Sequence, residues 1–270
     1  MKRIISALAA AALILSGCAS GGLSKSDKAV IAGVGAVAVG AAATLALSAR
    51  SQHAEHQAHM ASTCGDAPRS SVSMDAADWY IGPTLWDGNH SPGMSLHPRP
   101  HPSGTGFVID FPSEPGQKVD YVTTRLDGLA GKTSIEIEYE LTLDPGVEVN
   151  AVPEPDKGDT GHYLAQITPH FQQAGDDWSA GGKYESMRWY FVRGSQGYLQ
   201  PGVHTIIAPL TAGWTATQTS TQDNNPAGFR AAIEHAQCIG IVFGGNGIGI
   251  GHGANATGHA SAWIKRFEIR

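Results

Sequence analysis

The 270 residues lack a basic footprint: 18 lysines and arginines stand against 24 aspartates and glutamates, giving a net charge of −6 at pH 7 with no long run of either sign. Binding to a phosphate backbone needs clustered cations, so no nucleic-acid partner is expected. Catalytic signatures are also missing. "RGSQG" around Ser195 has arginine where a nucleophile elbow needs glycine. "GGNGIGIGHGANATGHA" places Gly249, Gly251 and Ala254 at a loosened dinucleotide spacing. No Gly-Lys-Ser/Thr, opening helix or βαβ context accompanies it, and it reads as a loop that needs positive φ angles. His252 and His259 in that loop are candidate ligand contacts. Asp176, Asp177, Glu185 and Glu234 could supply a carboxylate pair for glycoside cleavage, but that chemistry depends on a separation the sequence does not fix. No catalytic residue is assigned, and the reading leans away from an enzyme.

Cysteine is scarce, with three in the chain. Lys2 and Arg3 precede an apolar run from Ile4 to Leu15 that ends in Leu15-Ser16-Gly17-Cys18, the layout of a secretory signal peptide over residues 1–17. The cleavage site resembles the lipobox of bacterial lipoproteins, which implies that Cys18 becomes the lipidated N-terminus of an envelope protein. Ala19 and Ser20 resemble no inner-membrane retention signal, which favours the outer membrane, facing periplasm or exterior. Cys64 and Cys238 then remain as an even pair in an oxidising compartment, a disulfide candidate beside the alternative of two separate thiols. Closing so long a loop is worth roughly 5 kcal/mol in the chain-entropy treatment.

Residues 18–28 form a linker, followed at 29–49 by an uncharged Ala/Gly-rich segment long enough as a helix to cross a hydrocarbon layer. Ala32, Ala36, Gly40 and Thr44 recur every fourth residue and put small side chains on one face. Glycine-zipper segments of envelope lipoproteins are similar. A membrane-embedded or self-associating helix, and hence a homo-oligomer, stands beside a low-complexity tether. Residues 50–74 are a polar linker in which His53, His56 and His59 are either solvated or metal ligands. His90, His97 and His101 in "NHSPGMSLHPRPHP" leave the same two options. Metal binding is therefore unassigned.

The part from 75 to 270 is one domain of strands. In "TSIEIEYELTL", Ile135, Ile137, Tyr139, Leu141 and Leu143 alternate with Glu136, Glu138, Glu140 and Thr142, the period of a half-buried strand. "GFVIDF" alternates through Phe107, Ile109 and Phe111, "VHTII" is β-branched, and "CIGIVF" reads as a buried strand. One helix is expected after Asn225 and Pro226, with Phe229, Ala232, Ile233 and Ala236 on one face. Tyr163, Ala165, Ile167 and Phe171 are placed on one side of a strand; Met187, Trp189 and Phe191 on one side of the next, with Tyr184, Arg188 and Tyr190 opposite. "AGDDWSAGG" is the loop between those strands. Trp178 in that loop needs a packing partner or a ligand. The fold class expected is mainly β, an antiparallel sandwich with one short helix.

The series "HTIIAPL", Trp214, "NPAGFRAAIEHA", "CIGIVFGGNGIGIGHG" and "ASAWIKRFEIR" resembles the galactose-binding-domain-like jelly roll of carbohydrate-binding modules, over roughly residues 75–270. That resemblance implies a glycan or an envelope protein as partner. The Trp178 loop, the face of the strand after it and the glycine-rich loop supply the ligand-binding candidates Trp178, Asp176, Asp177, Arg188, Tyr184, Tyr190 and His252, the rings stacking on sugar faces and the acids accepting from hydroxyls. The resemblance also raises a structural calcium, for which Asp75, Asp78 and Glu268 are the available carboxylates, and no other cofactor. A structural, protein-docking sandwich and a polysaccharide-active enzyme are the rival readings.

Overall fold

The computed structural model describes residues 70–82, 84–85, 88–153, 163–192, 198–217, 220–245 and 250–270. Cys18, the 29–49 segment, Cys64 and the linker histidines lie outside the described residues.

Fifteen strands are described: β1 (Tyr80–Gly82), β2 (Thr84–Leu85), β3 (Gly88–Asn89), β4 (Arg99–Pro100), β5 (Phe107–Asp110), β6 (Tyr121–Arg125), β7 (Ser134–Leu143), β8 (Val149–Ala151), β9 (Gln166–Gln173), β10 (Arg188–Phe191), β11 (Gly202–Pro209), β12 (Trp214–Ala216), β13 (Ala236–Gly244), β14 (Ala254–Ala256) and β15 (Ala260–Ile269). One α-helix, α1 (Pro226–Glu234), occurs among the described residues. A six-stranded sheet runs β1-β6-β13-β9-β10-β12 and a five-stranded sheet runs β11-β7-β15-β5-β4, with every pairing antiparallel. The orders β5-β15-β7-β11 and β6-β13-β9-β10 are those of a jelly roll, in which the chain passes between two sheets so that its first and last long strands become neighbours. The protein is a mainly β, antiparallel sandwich with one short helix.

Period-two patterning explains the core. Ile135, Ile137, Tyr139 and Leu141 of β7 are buried, while the intervening glutamates reach outward. Ile239, Ile241 and Phe243 of β13 meet them from the other sheet, in one cluster with Phe107, Ile109 and Phe171. Each such side chain stabilises the fold by about 1.5–3 kcal/mol relative to exposure. The helix closes one end of this layer. Asn225 caps it by accepting from Gly228 N at 3.0 Å, and Pro226 occupies the first turn. Its Phe229 lies 4.9 Å from Trp189 and 6.1 Å from Trp214, ring to ring. Trp189 is thus a core residue, as its Met and Phe neighbours two apart predict.

Three expectations differ locally. Ala236, expected on the helix, is the first residue of β13, because α1 ends at Glu234 with His235 as its C-cap. Tyr163 is 51% exposed and precedes β9, so it does not share the buried side of Ala165, Ile167 and Phe171. Tyr184 is not on β10; it ends a 3-10 turn (Gly182–Tyr184) whose glycine starts at φ 59.

Candidate functional site

Two faces of the six-stranded sheet are distinguished by its register. Val122, Phe171, Ile239 and Ile241 point into the sandwich core. Tyr121, His170, Arg188, Tyr190 and Val242, one residue out of step with them, point the other way. Tyr190 is opposite His170, His170 is opposite Gly240, and Gly240 is opposite Thr123. Gln172 is opposite both Arg188 and Cys238. This outer face is polar and yet buried: Thr123, Thr168, His170, Gln172, Arg188, Tyr121 and Tyr190 are all nearly inaccessible.

The turn between β9 and β10 covers part of it. Asp176, fully buried, has its Oδ2 2.6 Å from Arg188 Nε and accepts from Gln172 Nε2 at 2.9 Å. Its Oδ1 accepts from the Trp178 amide at 3.1 Å, an Asx turn that folds the loop back onto the sheet. Trp178 adopts φ 66 and Ala180 φ 56, conformations that side-chain-bearing residues hold at a cost of about 1–3 kcal/mol each. The surrounding contacts offset that cost. Arg188 donates from Nη2 to the Trp178 carbonyl at 3.0 Å and lies 4.5 Å from the indole centroid, a cation–π contact. The indole meets Tyr121 edge-on at 5.0 Å. The packing partner required by Trp178 is therefore supplied by the sheet and not by its own loop. The ring is half-buried, and its Nε1 is buried without a hydrogen-bond partner.

Beneath the indole, the Tyr121 and Tyr190 hydroxyls share a hydrogen bond of 2.8 Å. Gly251, at φ 76, lies over them; a Cβ there would sit 2.5 Å from the Tyr121 hydroxyl oxygen, so only glycine lets the 250–253 loop come this close. His170 is 5.1 Å from the Tyr121 ring and 6.2 Å from that of Tyr190. Neither of its ring nitrogens makes a well-formed hydrogen bond.

Burial sets the electrostatics. It pushes the His170 imidazole down to about 3, with the Arg188 cation acting the same way against the Gly240 backbone, so the ring is neutral. Burial raises both phenols, Tyr121 most, which keeps them protonated donors. Burial also raises the Asp176 carboxyl, against the pull of Arg188, Trp178 N and Gln172. On Arg188 burial acts downward, but Tyr190, Asp176 and Tyr121 outweigh it and the guanidinium is held above its ordinary range. Around the turn the closed face thus holds the Arg188 guanidinium, two protonated phenols, an indole and a neutral imidazole.

Of the sequence candidates, Asp176, Trp178, Arg188 and Tyr190 are assembled in this cluster. Asp177 is half-buried beside it and accepts from Ser179 N at 2.9 Å. Tyr184 lies on the 3-10 turn with the Lys183 ammonium 4.8 Å above its ring. The His252 carbonyl accepts from Lys118 Nζ at 3.0 Å, and Lys118 in turn pairs with buried Asp120 at 3.1 Å. Glu185 accepts from Ser220 at 3.1 Å. Tyr121, His170 and Gln172 were missed. Their signal was the polar half of "QITPHFQQ" and "YVTTR", alternating with the apolar half. Cys238 is buried on this face, opposite Gln172.

For the metal options, Asp75 caps the 3-10 helix Ala76–Asp78, and Glu268 pairs with Arg266 and Arg270 at 3.0 and 3.1 Å. His97 Nδ1 contacts the Trp79 carbonyl at 2.8 Å, and His101 stacks on Trp263 at 3.6 Å. Among the described residues no group of three or more His, Cys, Asp or Glu is placed to share an ion.

Fold and site together define an antiparallel β-sandwich protein with a closed, aromatic and polar outer face on one sheet. No protein-family model matches the chain, and it matches none of the curated proteins.

Proposed function

We propose that the chain is a lipid-anchored protein of the bacterial cell envelope, held at the outer membrane through Cys18, whose jelly-roll domain binds a glycan or another envelope component without transforming it. The observation that carries this reading is the Trp178 turn: a half-buried indole in a strained conformation at the edge of a face rich in phenol, guanidinium and amide groups. Strain of this kind clusters at ligand clamps. An aromatic platform beside fixed polar groups suits a sugar, with its apolar ring face and its rim of hydroxyls.

Binding is favoured over hydrolysis because the carboxylates near the turn are already committed. Asp176 is held by Arg188 and Gln172, Asp177 by its own turn, and Glu185 by Ser220. The proposal includes a Cys64–Cys238 disulfide, supported by the burial of Cys238 and an oxidising compartment. Non-reducing peptide mapping checks it: a linked pair of peptides is expected, and two free thiols would remove it. The test of function is a glycan array probed with the detergent-solubilised full chain and with Trp178→Ala. Binding that the variant loses is expected. Silence from both, or binding unaltered by the substitution, rejects the reading.

A further inference from the structure

We infer that β11 is a self-pairing edge through which two copies of this chain join their five-stranded sheets into one. Among the described residues β11 is the end strand of that sheet, with an unbroken eight-residue register against β7 from Gly202↔Leu141 to Pro209↔Ser134. Edge strands of this length are ordinarily guarded by a charge, an internal proline or a bulge. β11 has none of these between Gly202 and Ala208; its sequence is GVHTIIAP, with proline only at its end and at Pro201 just before it. Its outward side chains are Val203, Thr205 and Ile207, of which Val203 is 56% and Ile207 58% exposed. His204, Ile206 and Ala208 point inward, and the last two are buried.

The occupant is a second copy because the exposed triplet is complementary to itself. Antiparallel pairing about a two-fold axis at Thr205 sets Val203 of each copy against Ile207 of the other and Thr205 against Thr205. Both apolar side chains are then covered by β-branched partners, and the central pair is one that antiparallel sheets favour. Centring on Ile206 would instead set Thr205 against Ile207 and leave Val203 against proline. Charge does not oppose the contact. The acidic row of β7, Glu136, Glu138 and Glu140, lies one strand in and is paired with Lys265, Arg266 and Arg270. Across the joined edge the two rows would be three strand spacings apart, about 14 Å, which is beyond the screening length at physiological salt. Eight paired residues cover less surface than a permanent dimer uses, so the association is a weak one.

The register gives a test with a pattern that a non-specific association would not produce. Single-cysteine additions are made in the full chain in detergent and exposed to a mild oxidant, with the unaltered chain as control. Thr205→Cys is expected to give a disulfide-linked dimer on a non-reducing gel. Val203→Cys alone and Ile207→Cys alone are expected to stay near the control, whereas mixing those two restores the linked dimer. In the Thr205→Cys background, adding Ile207→Lys is expected to reduce the dimer at least several-fold while circular dichroism stays unaltered, since that position is exposed. No dimer from Thr205→Cys, or equal crosslinking at all three positions, overturns the proposal. Glycan binding is not read in this experiment, so the proposal stands or falls independently of it.

Discussion

The two sheets of the sandwich turn opposite kinds of surface away from their shared core. On the five-stranded sheet, Glu136, Glu138 and Glu268 interleave with Arg266 and Arg270 in a ladder of ion pairs at 3.0–3.6 Å. Water reaches these groups, and exposed pairs contribute little net stability. On the six-stranded sheet, the ion pair between Arg188 and Asp176 is shut away beneath an indole, beside a neutral histidine and two phenols. The same types of charge are present on both faces. What differs is the environment, and with it the cost of removing any one partner.

That contrast can be broken most severely at Arg188. Arg188→Met leaves the Asp176 carboxylate buried with no cation, and a loss of about 3–5 kcal/mol is expected in urea denaturation. A loss below about 1 kcal/mol would mean that the face opens to water. The next effect is in pH. Because the folded state holds His170 near 3 and the unfolded chain near 6.5, the unfolded state binds the extra proton. Stability attributable to this ring is whole above about 6.5 and is lost as pH falls towards 3, by about 1.4 kcal/mol per pH unit. Wild-type and His170→Phe proteins compared at pH 7 and pH 5 should differ in slope, the variant being flatter; equal slopes would place a charged histidine there. On the other sheet, Arg266→Ala should cost no more than about 1 kcal/mol, and less in high salt, because its side chain is 32% exposed and its partners Glu138 and Glu268 are open to water. The smallest change is expected from Ala180→Gly. Relief of φ 56 outweighs the added freedom of the unfolded chain, and a gain of roughly 0.5 kcal/mol should appear as a slightly raised Tm.

The sequence made the architecture legible where one rule acts alone. Strict alternation in β7 and the Asn225-Pro226 cap identified those elements because burial and hydrogen bonding both favoured the same conformation. β6 was not recognised: "YVTTR" is short and mixed, and all but its last residue are buried, so no wet side marks its period. The site was half legible for a related reason. Asp176, Trp178, Arg188 and Tyr190 stand close together in the chain, and their composition drew attention to them. Tyr121 and His170 reach them only through sheet register, across 69 residues in the case of the Tyr121–Tyr190 bond. Polar residues that alternate with core positions usually face water, and nothing local tells that a loop will cover them.

The position of β15 also governs when the fold can be reached. It is the last of these strands in chain order, yet it lies between β5 and β7, pairing with both. Until it docks, those two strands have no neighbour between them, and their apolar sides remain open to other chains. Such late, long-range closure is slow and favours keeping the unfinished chain in the hands of a chaperone. A substitution that destabilises β15 will therefore reduce the yield of folded protein more than its effect on the finished molecule would suggest.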